Sequence, residues 1–115
     1  MGWFNTIWQG DANAMTLNCF EHVASPPLIV NLTGPEKLNV RECCQKLGGL
    51  LGKTPRFVGS ESETALLSDA SNAFQLFGPP RVSADELMVW VAGWIGNGGT
   101  VLKKRTHFES RDGRF

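Results

Sequence analysis

The 115-residue sequence contains no tyrosine, only three cysteines and no excess of charge of either sign. The missing tyrosine excludes every mechanism that uses a tyrosine as acid or base. Because eleven basic residues balance eleven acidic ones, we expect neither a nucleic-acid partner nor a membrane partner. No apolar run is long enough for a membrane span, and the first residues lack the pattern of a signal peptide. We therefore expect a cytoplasmic location.

The cysteines form no pattern that is typical of a metal site or of a disulfide. Their number is odd, Cys43 and Cys44 are adjacent, and no CxxC or Cys/His spacing occurs. We expect reduced, structural cysteines and no bound metal. The P-loop, GxGxxG and GxSxG motifs are absent as well, so phosphate binding and acyl transfer have no support from the sequence.

Apolar residues make up 42% of the sequence, which is enough for one small domain. Predicted strands alternate with predicted helices, and this order indicates an α/β fold. We expect a small, mostly parallel sheet of three or four short strands with about four helices. The domain is placed at residues 1–99, and the tail, residues 100–115, is expected to pack on its surface.

Three segments are predicted as strands. Phe4–Trp8 is aromatic and β-branched, and Leu28–Leu32 is a continuous apolar run of the kind found in buried strands. Arg56–Val58 is a short third strand, and the polar loop Gly59–Thr64 follows it.

Two helices are predicted in the first half of the chain. Asp11 is placed to cap the first helix, which runs to about Val23. Asn39 caps the second helix, and Gly52 ends it. This second helix contains a pair of glycines that either permit close packing or mark fraying.

Two more helices are predicted in the second half. Ser68 caps a short helix that ends at Gly78. Ser83 and Glu86 have the spacing of a capping box, which opens a helix to about Ile95. The predicted core face of this last helix consists of Leu87, Trp90, Val91, Trp94 and Ile95.

Several motifs stand in an order that is known from one enzyme family. Residues 10–14 read Gly-Asp-Ala-Asn-Ala after a strand, and residues 30–35 form a strand-to-glycine turn. Residues 38–42 resemble a helix opening of the type S/N-V-R-E, and residues 67–80 resemble a segment of the type D-x-S-K-A…L-G…P. Over roughly residues 4–96 the chain thus resembles the C-terminal, substrate-binding portion of NAD-dependent epimerase/dehydratases, which are extended short-chain dehydrogenases. The fold that this resemblance implies is a partial Rossmann-like fragment.

The resemblance implies part of an enzyme without its hydride-transfer machinery. The glycine-rich dinucleotide turn and the Tyr-x-x-x-Lys motif are both absent. We therefore expect no catalytic residue and no cofactor in this chain, with NAD(P) bound only by full-length relatives. The lysine of the S-K-A motif is Asn72 here, and the arginines that hold a diphosphate in nucleotide-sugar members are missing. A nucleotide sugar is therefore not the expected ligand.

A ligand is expected where the strands end, because open α/β sheets leave a crevice at that edge. The residues predicted to line this crevice are Trp8, Gln9, Asn31, Thr33, Ser60 and Thr64. An indole ring offers a stacking face and the amides offer uncharged donors and acceptors, so this set suits a small polar molecule.

Three functions stay open from the sequence. The first is a non-catalytic, stand-alone fragment that binds a small polar ligand or assembles with itself or with a separate nucleotide-binding chain. The second is a structural or interaction protein without a ligand, and the third is a small enzyme that uses Asp11, Glu61 or a cysteine. Glu61 and Glu63 lack the spacing of a calcium loop, so we prefer a solvated loop to a cation site there. We expect a homodimer or higher oligomer, because the aromatic segment around Trp3 and Trp8 would otherwise face water.

Overall fold

The computed structural model describes residues 2–61, 65 and 67–104. Its elements are β1 (Trp3–Phe4), α1 (Gln9–Asn18), a 3-10 helix (Cys19–His22), β2 (Leu38–Asn39), α2 (Val40–Leu50), α3 (Ser71–Phe77) and α4 (Ala84–Gly96). The helices form two packed pairs, α2 with α4 and α1 with α3. None of the described helices is long and apolar enough to cross a bilayer. Of the predicted tail, residues 105–115 lie outside the described part of the chain.

The sheet has two antiparallel strands, so the predicted mostly parallel sheet of three or four strands is wrong. Trp3 pairs with Asn39 and Phe4 with Leu38. The Val40 amide extends this ladder by donating to the Gly2 carbonyl at 3.0 Å. In the described residues the fold is a small mixed α/β arrangement rather than a partial Rossmann sheet. The second strand of this short ladder leads directly into α2.

The other predicted strand residues are irregular. The first strand ends at Phe4, and neither residues 28–32 nor residues 56–58 belong to a strand. Ile29 and Val58 are 82% and 83% exposed. An apolar run forms a buried strand only where neighbouring strands and an opposing layer cover it. No strand of the described chain pairs with these segments, and the prediction fails for that reason.

Two of the predicted helix starts are confirmed. The Asn39 side chain accepts hydrogen bonds from the amides of Arg41 and Glu42, at 2.9 and 3.2 Å. Ser83 Oγ accepts from the Glu86 amide at 3.2 Å, and Glu86 Oε2 accepts from the Ser83 amide at 3.0 Å. This reciprocal pair is the predicted capping box.

The predicted caps of the other two helices are wrong. Since α1 begins at Gln9, Asp11 lies inside its first turn rather than in front of it. The third helix begins at Ser71, and the Asp69 carboxylate accepts from the Ser71 amide at 2.9 Å. Ser68 instead exchanges two hydrogen bonds with the distant Asn5 side chain, at 2.8 and 3.2 Å.

The core consists mainly of small side chains. Its buried apolar residues are Met15, Ala70, Ala73, Ala84 and Ala92. Gly48 is buried as well, and a Cβ atom there would lie 2.5 Å from the Lys53 carbonyl oxygen. This glycine therefore permits close packing of the chain that follows α2. The predicted core face of α4 is largely wrong, because Trp90, Val91, Trp94 and Ile95 are all exposed. Of that face, Leu87 alone is partly buried.

Candidate functional site

Trp8 and Gln9 stand at the start of α1, and both are exposed. The Trp8 ring meets the Trp90 ring edge to face, with centroids 5.3 Å apart and an interplanar angle of 79°. Edge-to-face contact is a favourable arrangement of two aromatic rings. The indole of Trp8 thus joins the start of α1 to α4 and still leaves part of its surface open to solvent.

Asn31 and Thr33 lie in the irregular segment that precedes β2. Asn31 Nδ2 donates to the Asp69 carbonyl at 3.2 Å, and Thr33 is only 6% exposed. The next residue, Gly34, packs so closely on the Thr6 carbonyl that no Cβ atom would fit. These contacts fix the segment against two distant parts of the chain, whether or not a ligand binds there.

Ser60 lies in the exposed loop after α2, and Thr64 lies outside the described residues. Next to Ser60, Glu61 Oε1 accepts a hydrogen bond from Arg41 Nε at 2.7 Å. The Arg41 guanidinium also lies 4.3 Å from the centroid of the Phe57 ring. Both contacts hold the loop against α2. No hydrogen bond joins any two of the five described ligand-site residues, so this site stays a prediction.

Asp11 has a role that the sequence did not indicate. Its buried carboxylate accepts hydrogen bonds from the amides of Arg81 and Val82, at 3.0 and 2.9 Å. A carboxylate held in this way links α1 to the loop before α4. No local signal identifies such a contact, because the partners are about 70 residues apart in sequence. Asp11 is therefore a structural residue of this fold.

Cys43 of α2, a candidate nucleophile, lies in a partly closed environment. Burial raises the pKa of the Cys43 thiol, and the neighbouring Cys44 and Glu42 raise it further. A thiol with a raised pKa stays protonated near neutral pH and is a weak nucleophile. Glu61 is ion-paired at the surface, and Glu63 lies outside the described residues. Cys43 is thus not an activated nucleophile in this structure.

A polar cavity of about 220 Å³ lies between β2, α2 and α4, and both of its lysines already have partners. Lys46 forms an ion pair with Asp85 across the two helices. Lys37 Nζ lies 4.7 Å from the centroid of the Trp3 ring, in a cation–π contact. Because these cations already have partners, the cavity offers no free charge for an anionic ligand.

A further departure from the predicted structure is an exposed apolar surface on α4. We call it the α4 face and define it by Val89, Trp90, Gly93, Trp94 and Gly96. Trp90 and Trp94 are 48% and 57% exposed. Trp94 Nε1 donates to the Thr100 carbonyl at 2.9 Å, so one edge of that ring is fixed by the chain that follows α4. The remaining indole surface faces solvent.

A groove runs beside the α4 face. Its volume is about 360 Å³, and Leu50 and Leu51 at the end of α2 line it together with the glycines of α4. A Cβ atom added to Gly93 or to Gly96 would meet no atom within 4 Å. The floor of the groove is therefore open helix backbone.

A second exposed apolar cluster lies near the end of α1. Leu17, Phe20 and Val23 are 66%, 76% and 80% exposed. The neighbouring ring of His22 meets Phe77 edge to face at 5.5 Å, so this end of the 3-10 helix is held against α3. Exposed apolar clusters of this kind are typical of interaction surfaces.

The chain matches no family model, and the searches found no curated protein and no solved structure that matches it. The relation to NAD-dependent epimerase/dehydratases thus stays a prediction from the motifs of the sequence.

Proposed function

We propose that this chain is a non-catalytic assembly unit, similar to the substrate-side portion of an NAD-dependent epimerase/dehydratase, whose apolar surface is covered by another polypeptide. One observation carries this proposal. In the described residues, large apolar side chains lie at the surface while the core consists of one methionine and four alanines.

Burial energetics explain why this distribution favours a partner. Fully burying one large apolar side chain contributes about 1.5–3 kcal/mol. No large side chain in the described residues is fully buried, whereas Phe20 keeps most of its area in water and the two indoles of the α4 face keep about half of theirs. A partner that covers these groups would supply the burial that the chain does not achieve alone.

The resemblance indicates one kind of partner, a chain that carries the glycine-rich dinucleotide turn and the Tyr-x-x-x-Lys motif. The balanced charge of the present chain supports a contact that depends on apolar burial rather than on electrostatic attraction. A second copy of the chain is the other kind of partner.

The experiment measures mass and exposed apolar surface together. Sedimentation velocity gives the mass, and fluorescence of the dye ANS reports exposed apolar surface. We expect either a mass above 12.6 kDa or a monomer that binds ANS, with less dye bound by the exposed-site variant Phe20→Ser. Ala73→Ser changes a buried site and is the matched control, which should not lower dye binding. A monomer that unfolds cooperatively and binds no ANS would contradict the proposal.

A further inference from the structure

A cavity of about 160 Å³, which we call the apolar cavity, lies where the two strands meet α2 and α4. Its walls come from all four elements and include Phe4, Leu38, Leu47, Leu87 and Met88. Among the side chains that line it in the described part of the chain, none is charged, and the Thr6 hydroxyl and the Cys43 thiol are the only polar groups. The apolar cavity contains no residue of the predicted ligand site and none of the α4 face.

The walls of the apolar cavity are held in place by contacts outside it. Phe4 and Leu38 are paired in the strand ladder. The Ala84 amide at the start of α4 donates to Glu36 Oε1 at 3.1 Å, and an ion pair between Lys46 and Asp85 joins α2 to α4. Because these contacts position the strands and both helices, the space between them is kept open without a side chain that fills it.

The lining of the apolar cavity selects against water. A buried water molecule needs about two to four polar partners, and an apolar cavity of about 150 Å³ stays dry and takes up a molecule such as benzene. The Thr6 hydroxyl and the Cys43 thiol are too few to hold a water cluster, since a thiol is only a weak hydrogen-bonding group. The volume and the lining therefore both fit one small apolar molecule.

The apolar cavity also has a way in. Val91 is 39% exposed, whereas the other lining residues are buried or half-buried. Val91 thus marks the mouth of the apolar cavity on the surface of α4. An opening beside one valine side chain admits a small molecule but not a helix or a strand of another chain.

We propose that the apolar cavity is a binding site for a small, uncharged apolar molecule of about the size of a benzene ring. Such a ligand adds apolar contacts between the strands, α2 and α4, where the chain itself buries mainly alanines. We expect a dissociation constant of roughly 0.1–1 mM for a ligand of this size. This site goes beyond the proposed function, which concerns the exposed surface.

Thermal unfolding of the full chain with benzene as the probe tests the site. A ligand that binds only the folded state raises the unfolding midpoint, by roughly 5 °C when its concentration is about ten times the dissociation constant. Benzoate carries the same ring with a charge and should leave the midpoint unchanged, because burial of a carboxylate in an apolar site is costly.

Cys43→Leu is the test variant, since a larger side chain at this lining position occupies part of the apolar cavity. We expect it to raise the dissociation constant of benzene at least about tenfold, and circular dichroism checks that it folds. Cys44→Leu is the matched control. Cys44 is the next residue of α2 and is also half-buried, but it does not line the apolar cavity, so this variant should bind benzene as wild type does.

A measurement on wild type covers the case in which Cys43→Leu does not fold. Bound benzene should slow the alkylation of Cys43 by iodoacetamide at least about threefold, as read by mass spectrometry of the labelled peptides. Cys19 lies in the 3-10 helix and should react at an unchanged rate.

Three results would overturn the proposal. Benzene leaves the midpoint of wild type unchanged, benzoate raises it as much as benzene does, or folded Cys43→Leu binds benzene as tightly as wild type. Slowing of both cysteines or of neither would also overturn it, because benzene would then bind elsewhere. The proposed function is read from mass and ANS fluorescence, so each of these results leaves it intact.

Discussion

Asp11 Oδ2 accepts a hydrogen bond from the Val82 amide at 2.9 Å, and this bond joins the first turn of α1 to the loop that leads into α4. The same oxygen accepts from the Arg81 amide. Together with the Glu36 carboxylate, which accepts from the Ala84 amide at 3.1 Å, it holds the start of α4 in place. Acidic side chains bound to distant amides therefore contribute to a fold whose apolar core is small.

Replacing Asp11 by alanine should lower the free energy of unfolding by about 2–4 kcal/mol, since two backbone amides lose their acceptor. Asp11→Asn keeps one acceptor oxygen and should cost roughly half as much. Urea unfolding followed by tryptophan fluorescence measures both changes. Asp69→Ala removes an exposed acceptor of the Ser71 amide and should cost clearly less. If Asp11→Ala lowers the free energy of unfolding no more than Asp69→Ala does, this result would contradict the structural role assigned to Asp11.

Gly48 and Gly49 should respond in opposite directions to alanine. A Cβ atom at Gly48 would lie 2.5 Å from the Lys53 carbonyl oxygen, so Gly48→Ala should lower the free energy of unfolding by about 1–3 kcal/mol. Gly49 has open space around it, and Gly49→Ala should raise stability by about 0.5–1 kcal/mol through helix propensity. Thermal unfolding of the two variants compares them directly. If the two variants change the free energy of unfolding by the same amount, the chain does not pack closely on Gly48.

The capping box of α4 should make stability depend on pH. The amide and hydroxyl of Ser83 donate to the Glu86 carboxylate and lower its pKa in the folded state. A lowered folded-state pKa adds stability above the unfolded pKa of roughly 4.3, and this stability is lost as pH falls through the folded value. Glu86→Gln should therefore be less stable than wild type at pH 7, with the difference shrinking towards pH 3. Ser83→Ala keeps the backbone amide, which is the larger cause of the lowered pKa, and should therefore reduce this pH-dependent difference only in part. A difference between Glu86→Gln and wild type that stays constant across this range would contradict the mechanism.

The predicted ligand site is examined by NMR. Any small polar ligand should shift the backbone resonances of Trp8, Gln9, Asn31, Thr33 and Ser60, and those of Thr64, more than the rest of the spectrum. Shifts that cluster on α4 instead would show that the site was placed wrongly.

NAD and NADP should not bind to the isolated chain. The sequence has no glycine-rich turn at a helix start that would hold the pyrophosphate. Calorimetric titration that reveals micromolar binding of either dinucleotide would contradict this prediction.

Local features of this protein were predictable from its sequence. The Ser83–Glu86 capping box and the Asn39 cap both form as predicted, because each bond joins groups two or three residues apart. The periodic apolar pattern likewise located four helices, with ends shifted by a few residues.

Features that depend on distant neighbours were not predictable. The apolar run 28–32 has the composition of a buried strand, yet its place in a sheet depends on a neighbouring strand that a local pattern does not describe. The local pattern predicts that the Asp11 carboxylate caps its own helix, whereas it binds amides about 70 residues away. Helical spacing showed that Trp90 and Trp94 share one side of α4, whereas the packing of α2 on α4 determines that this side faces water. Hydrogen bonds within a turn depend on residues that are adjacent in sequence. The burial of a side chain depends instead on which helices and strands pack together, and only the tertiary structure determines this packing.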